Sequence, residues 1–245
     1  MPLADLLHIV PFLQPRYYTI SSSSSVHPNR VHITVSVTQF KSAQGRAVKG
    51  LCSGYLQKLV PSAAAAAPAC RVFVRPSTFR LPKQLSTPIV LVGPGTGLAP
   101  MRALLQDRQW QGENGNGNGA LAAGKNTLYF GCQKRSVDFI YRDEMEAYQA
   151  AGVLSSLQLA FSREQEQKVY VQHLIRAADN AKALVADIDQ GAYVFVCGAT
   201  NMGSDVMAAV VDVLVEHKGL SKDAAVDMVK DLQKQGRYVQ ELWTP

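Results

Sequence analysis

No run of apolar residues in this 245-residue chain approaches the ~18 that a membrane span requires, so no membrane partner is expected. The opening stretch MPLADLLHIVPFLQP is apolar, but it carries Asp5 and three prolines and lacks a basic leader, so it reads as a poor signal peptide. Cysteine is sparse. The four (Cys52, Cys70, Cys132, Cys197) show no CxxC and no histidine at metal spacing, so no metal site is expected and the thiols read as reduced, in a cytoplasmic protein. Charged residues make up only 18%, and Lys and Arg are spread out with few aromatics between them, which excludes a nucleic-acid arm. The net charge of +6 suits either an ordinary solvated surface or phosphate-bearing cofactors. Neither GxGxxG nor the lysine of a P-loop occurs. What remains is 47% apolar, enough for one large core or two modest ones.

The chain changes grammar once. Residues 1–86 read as β-rich: YYTISSS and VHITVSVTQF alternate apolar with polar at a period of two, and RVFVRPSTFRLP predicts a strand running into an extended segment. A short helix is expected over GLCSGYLQKLV, with Leu51, Tyr55, Leu56 and Leu59 on one face. PSAAAAAPAC (61–70) reads as a surface insertion and ENGNGNGALAAGK (113–125) as a flexible loop. Residues 87–245 alternate apolar strands (PIVLVG, NTLYFGC, LQLAF, AYVFVCG, RYVQELW) with helices (LAPMRALLQDRQWQ, DFIYRDEMEAYQAAG, VYVQHLIRAAD, MGSDVMAAVVDVLVEH, SKDAAVDMVKDLQKQ). That pattern predicts an α/β, doubly wound parallel sheet.

Three places carry candidate chemistry. Gly93-Pro94-Gly95-Thr96-Gly97 lies where a parallel strand gives way to a helix, a turn that binds a phosphate or simply reverses the chain. Ser162 and Arg163, then Lys168-Val169-Tyr170-Val171-Gln172, follow the third strand of the sheet. A hydroxyl, a guanidinium and an ammonium in one loop suit a phosphate monoester; the loop is also rich in Glu and Gln and reads equally as solvated surface. In the β-rich part, Arg16-Tyr17-Tyr18-Thr19 and Gly50-Leu51-Cys52-Ser53 offer a cation, aromatic rings, hydroxyls and a helix-opening turn. Cys197 closes an apolar strand and Trp243 follows the last one; each reads as core filler or as a cofactor contact.

The ordered series RYYT, GLCS, GPGTGLAP, FGC, FSREQEQKVYVQH, VCGATNM and a near-terminal Trp resembles the carboxyl-terminal part of the diflavin reductases, the ferredoxin-NADP reductase-like family that includes cytochrome P450 reductases. GLCS and AFSREQEQKVYVQH look most like the NADPH-dependent diflavin oxidoreductase branch serving cytosolic iron–sulfur assembly. The resemblance implies an NADP-binding domain (87–245) preceded by part of an antiparallel β-barrel that binds FAD (1–86), with the family's FMN domain, connecting domain and earlier barrel strands absent. It implies hydride transfer from NADPH to FAD, then electrons through FMN to an anamorsin-type iron–sulfur protein; a cytochrome P450 acceptor, or a non-catalytic NADP-binding module, are the alternatives. Arg16, Gly50, Leu51, Cys52 and Ser53 would hold the FAD pyrophosphate, Tyr17 and Tyr18 would face its ring, and Thr19 would bond near flavin N5. Thr96 would meet the NADPH phosphates, and Ser162, Arg163, Lys168, Val169, Tyr170, Val171 and Gln172 the adenosine 2′-phosphate end, with Asp205 near the nicotinamide half. Thr19, Cys197 and Glu241 would line the hydride path under Trp243, which would cover the flavin.

Overall fold

The structure, a computed structural model, describes residues 2–59, 70–114 and 124–244, so most of both low-complexity stretches lies outside the described residues. The chain divides into two units: Met1–Thr19 with Val35–Val72, and Ile20–Thr34 with Phe73–Pro245.

The first unit holds helix α1 (Leu3–Ile9), an antiparallel hairpin of β1 (Gln39–Lys41) and β2 (Ala47–Lys49), and helix α2 (Leu51–Leu56). Among its described residues only Ser53 and Gly54 are buried. The apolar stripe expected to pack on one face of α2 does not: Leu51 and Tyr55 are exposed, and the buried side is the small, polar one. The strands expected in YYTISSS and VHITVSVTQF reduce to an antiparallel bridge between Ile20 and Ile33 and to β1. No described residue of RVFVRPSTFRLP is in a strand, and Val72, Phe73 and Val74 are exposed. The cause is that alternation names a face but supplies no partner, and a ladder forms only where a second backbone presents matching N–H and C=O groups.

The second unit is built on a five-stranded, wholly parallel sheet of β3 (Ile89–Val92), β4 (Asn126–Cys132), β5 (Ser156–Phe161), β6 (Tyr193–Ala199) and β7 (Tyr238–Trp243), in the order β5-β4-β3-β6-β7. The run PIVLVG is apolar throughout because β3 is covered on both faces. Ile89 and Leu91 join one core with Leu98, Met101 and Leu105 of α3 (Leu98–Asn114) and Met145 and Tyr148 of α5 (Arg142–Ala150). Val90 and Val92 join the other, with Ile175 of α6 (Val171–Arg176), Leu184 of α7 (Ala178–Asp189), Val206 and Val210 of α8 (Thr200–Lys218) and Val229 of α9 (Lys222–Lys234). The doubly wound α/β reading is thereby the observed one.

Two helices depart from the sequence reading. DFIYRDEMEAYQAAG is not continuous: the chain makes a single turn α4 (Arg135–Asp138), then Tyr141 adopts a left-handed conformation (φ 53°) before α5 begins. VYVQHLIRAAD breaks at Ala177, whose extended ψ of 135° ends α6 and starts α7.

Candidate functional site

Ligands of open α/β sheets sit at the carboxyl ends of the strands, where the strand order reverses. Here that point lies between β3 and β6, which are neighbours although α3, β4 and β5 intervene in sequence. The glycine turn leaves β3 at this point, and Gly95–Gly97 coils into one 3-10 turn before α3. A Cβ on Gly97 would stand 2.1 Å from the Cys197 carbonyl oxygen, and one on Gly93 would stand 2.4 Å from the Gly97 carbonyl oxygen. Backbone-on-backbone approach therefore dictates both glycines, while Gly95 meets the separate demand of a positive φ (55°). Pro100 is buried in the first turn of α3, where a missing N–H costs nothing. Gly131 of β4 extends the same economy: its Cβ would lie 3.3 Å from Pro94 and 3.2 Å from Val171 at the start of α6. The half-buried Thr96 thus heads a narrow cradle that ends in a helix amino terminus, and the cradle fits a pyrophosphate.

Beyond β5, Ser162 and Arg163 turn on backbone bonds to Cys132 O and Gln133 O, both 2.9 Å. Arg163 and Lys168 are exposed, and neither has an ion-pair partner among the described residues. Tyr170 is exposed, and its backbone N–H donates to His173 Nδ1 at 3.2 Å, opening α6. Val169 is half-buried and Val171 buried, so they anchor the loop rather than face solvent. Gln172 Nε2 donates to Asp205 Oδ2 at 3.2 Å, while its Oε1 is buried without a hydrogen-bond partner. Asp205, expected near the nicotinamide half, thus lies within hydrogen-bond distance of Gln172 of the loop after β5. The free acceptor and the two unpaired cations fit a phosphorylated ribose, which brings both hydroxyl donors and negative charge.

Cys197 is fully buried in β6, and its register partner on β7 is Glu241. The Glu241 carboxylate accepts hydrogen bonds from Ser77 Oγ, from Thr78 N at 3.1 Å and from Thr78 Oγ1 at 3.3 Å. Sequence reasoning missed Ser77 and Thr78, because nothing local links them to a residue more than 160 positions away. Trp243, 39% exposed, pairs with Ala199, and its carbonyl accepts from Thr200 Oγ1 at 3.1 Å.

In the first unit, Arg16 is exposed and donates to the Gln14 carbonyl; Tyr17 is exposed and Thr19 half-buried. Burial and a hydrogen bond with Cys52 push the Tyr18 hydroxyl up to about 12, so the RYYT and GLCS segments meet at this pair. A Cβ on Gly50 would stand 2.6 Å from Ser53 Oγ and 3.0 Å from Thr38, and Ser53 Oγ accepts from Thr38 N at 3.1 Å. A guanidinium, an aromatic ring and a tight helix-opening turn in one unit fit a flavin nucleotide.

Among the described residues, no helix is long and apolar enough to cross a membrane, and no cluster of His, Cys, Asp and Glu could hold a metal ion. Residues 1–55 match the family described as FAD binding domain, and residues 91–208 match the oxidoreductase NAD-binding domain. Over 99% of its length the chain is 41% identical to NADPH–cytochrome P450 reductase from Sus scrofa, and 40% identical to those from Homo sapiens and Musca domestica. It spans 35% of the length of these relatives. Fold, site and matches together define an oxidoreductase module with FAD and NADPH as its cofactors. The chain is similar to these reductases through an FAD-binding and an oxidoreductase NAD-binding domain.

Proposed function

We propose that this chain is the part of a diflavin reductase in which NADPH passes a hydride to FAD, with residues 1–86 contributing to the FAD side and 87–245 forming the NADP-binding domain. The observation that carries the reading is the convergence at one sheet edge of the Gly97 cradle, buried Cys197 and its register partner Glu241. FAD supplies the hydride acceptor when bound; the chain binds, orients and shields. Arg16 and the Gly50–Ser53 turn would hold its pyrophosphate, Tyr17 and Tyr18 its ring, and Thr19 a ring nitrogen. Thr96 and the α3 amino terminus would take the nicotinamide nucleotide's pyrophosphate. Ser162, Arg163, Lys168, Tyr170 and Gln172 would neutralise and bond the 2′-phosphate end, with Val169 and Val171 as anchors and Asp205 orienting Gln172. Those cations support NADPH over NADH, because only the former carries the extra dianion. Cys197 and Glu241 would flank the reacting ring, and Trp243, partly exposed at the strand end, would cover the flavin.

For the onward electrons two readings stand, both through an FMN that neither matched domain binds. An anamorsin-type iron–sulfur protein in the cytoplasm follows from the likeness of GLCS and AFSREQEQKVYVQH. A cytochrome P450 is favoured by the names of the relatives. Anaerobic titration of the FAD-loaded chain with NADPH and NADH tests the core reading: NADPH should bleach the flavin at far lower concentration. A chain that binds 2′,5′-ADP yet takes up no FAD would be an NADP-binding module only.

A further inference from the structure

The segment Ser77-Thr78-Phe79 was read from sequence only as extended chain, yet it is fixed at both levels of the sheet edge. Phe79 is buried, its ring 5.2 Å from Phe195 of β6. Phe195 is in register with Val239, two residues below the Cys197–Glu241 pair. Anchored there, the backbone delivers Ser77 and Thr78 to the Glu241 carboxylate, where all three donors converge on Oε1. Ser77 Oγ also accepts from Phe79 N at 3.0 Å, which commits a lone pair and leaves its proton for Glu241. A glutamate has a longer, freer side chain than an aspartate, so holding its charge at one point needs such partners.

We infer that Ser77 and Thr78 are positioning residues: a three-donor clamp, seated on Phe79, that holds the Glu241 carboxylate beside Cys197 so that its charge meets the cationic ring of oxidised nicotinamide. The inference rests on the proposed placing of the nicotinamide at this edge. A fixed carboxylate attracts NADP+ in a way that a mobile, solvated one does not.

Calorimetric titration of the chain with NADP+ and with 2′,5′-ADP, which lacks the nicotinamide, reads the clamp without needing flavin. The S77A/T78V variant removes both hydroxyl donors and should weaken NADP+ about fivefold while leaving 2′,5′-ADP unchanged. Thr78→Ser, which keeps its hydroxyl, should bind NADP+ as the parent does. In a Glu241→Ala background the double substitution should cost nothing more, because it acts through Glu241. Equal loss for both ligands, or an additive loss in that background, overturns the clamp. So does an unchanged NADP+ affinity in S77A/T78V when Glu241→Ala itself weakens it. If Glu241→Ala leaves NADP+ binding untouched, or 2′,5′-ADP fails to bind the parent chain, the placing of the nicotinamide is what has failed.

Discussion

Gly97 has the least freedom of any residue in the site. With the Cys197 carbonyl oxygen 2.1 Å from where a Cβ would go, neither backbone can yield without separating β3 from β6. Gly97→Ala should cost at least about 3 kcal/mol of stability and abolish NADP+ binding, both measurable by urea unfolding with and without ligand. Asp187 presents the opposite case, a buried charge away from the site. Its side chain is 3% exposed, Lys125 Nζ stands 3.9 Å off, and Oδ1 has no hydrogen-bond partner among the described residues. Burial raises its carboxyl above the ordinary 3.8 despite Lys125, so the fold favours the neutral form. The stability linked to that proton is complete below 3.8 and is lost as pH rises through the raised value. Asp187→Asn should therefore raise the melting temperature at pH 7, with the gain shrinking to nothing as the pH falls below the ordinary carboxylate range. A gain independent of pH would point to packing instead of charge.

Among the elements, α3 does more than wall the glycine cradle. Arg102 pairs with Glu144 of α5 at 2.6 Å, donates to Ser21 O at 2.6 Å and lies over the Tyr141 ring. One turn on, Gln106 accepts from Ser23 N at 2.9 Å, and Asp107 accepts from Ser23 and Ser25 hydroxyls. The Ser21–Ser25 run is thus the docking strip of residues 20–34. Arg102→Ala would remove the ion-pair partner of Glu144 and leave it the donors Gln106 Nε2 and Tyr148 Oη, and should cost about 2 kcal/mol, with amides of 20–34 the first to gain hydrogen exchange. What was legible in the sequence divides along this line. PIVLVG announced a doubly covered strand because every residue in β3 is buried, and the glycine turn was legible because backbone crowding leaves a residue-type signature. The strands before residue 87 were over-read, since alternation specifies a side but not a neighbour. The Tyr141 break, the Ser23–Gln106 bond and the Ser77–Glu241 bond left no trace in local pattern, because long-range contacts set each of them.

At the scale of the whole molecule the two units are unequal. No apolar side chain is buried among the described residues of the first, whereas the second contains both hydrophobic clusters. At ~0.7 kcal/mol per residue near 60 °C, calorimetry of the cofactor-free chain should give an unfolding enthalpy of about 130 kcal/mol, the value for the second unit alone, against about 170 for the entire chain. An enthalpy at the higher figure would mean that both units melt as one cooperative body. The backbone passes between the units after Thr19, after Thr34 and after Val72. A single protease cut anywhere from 20 to 72 therefore yields two fragments that each hold pieces of both. Synthesis meets the same threading: Ser23 leaves the ribosome 83 residues ahead of the Gln106 that receives it, so the nascent chain must carry its docking strip undocked until α3 has emerged.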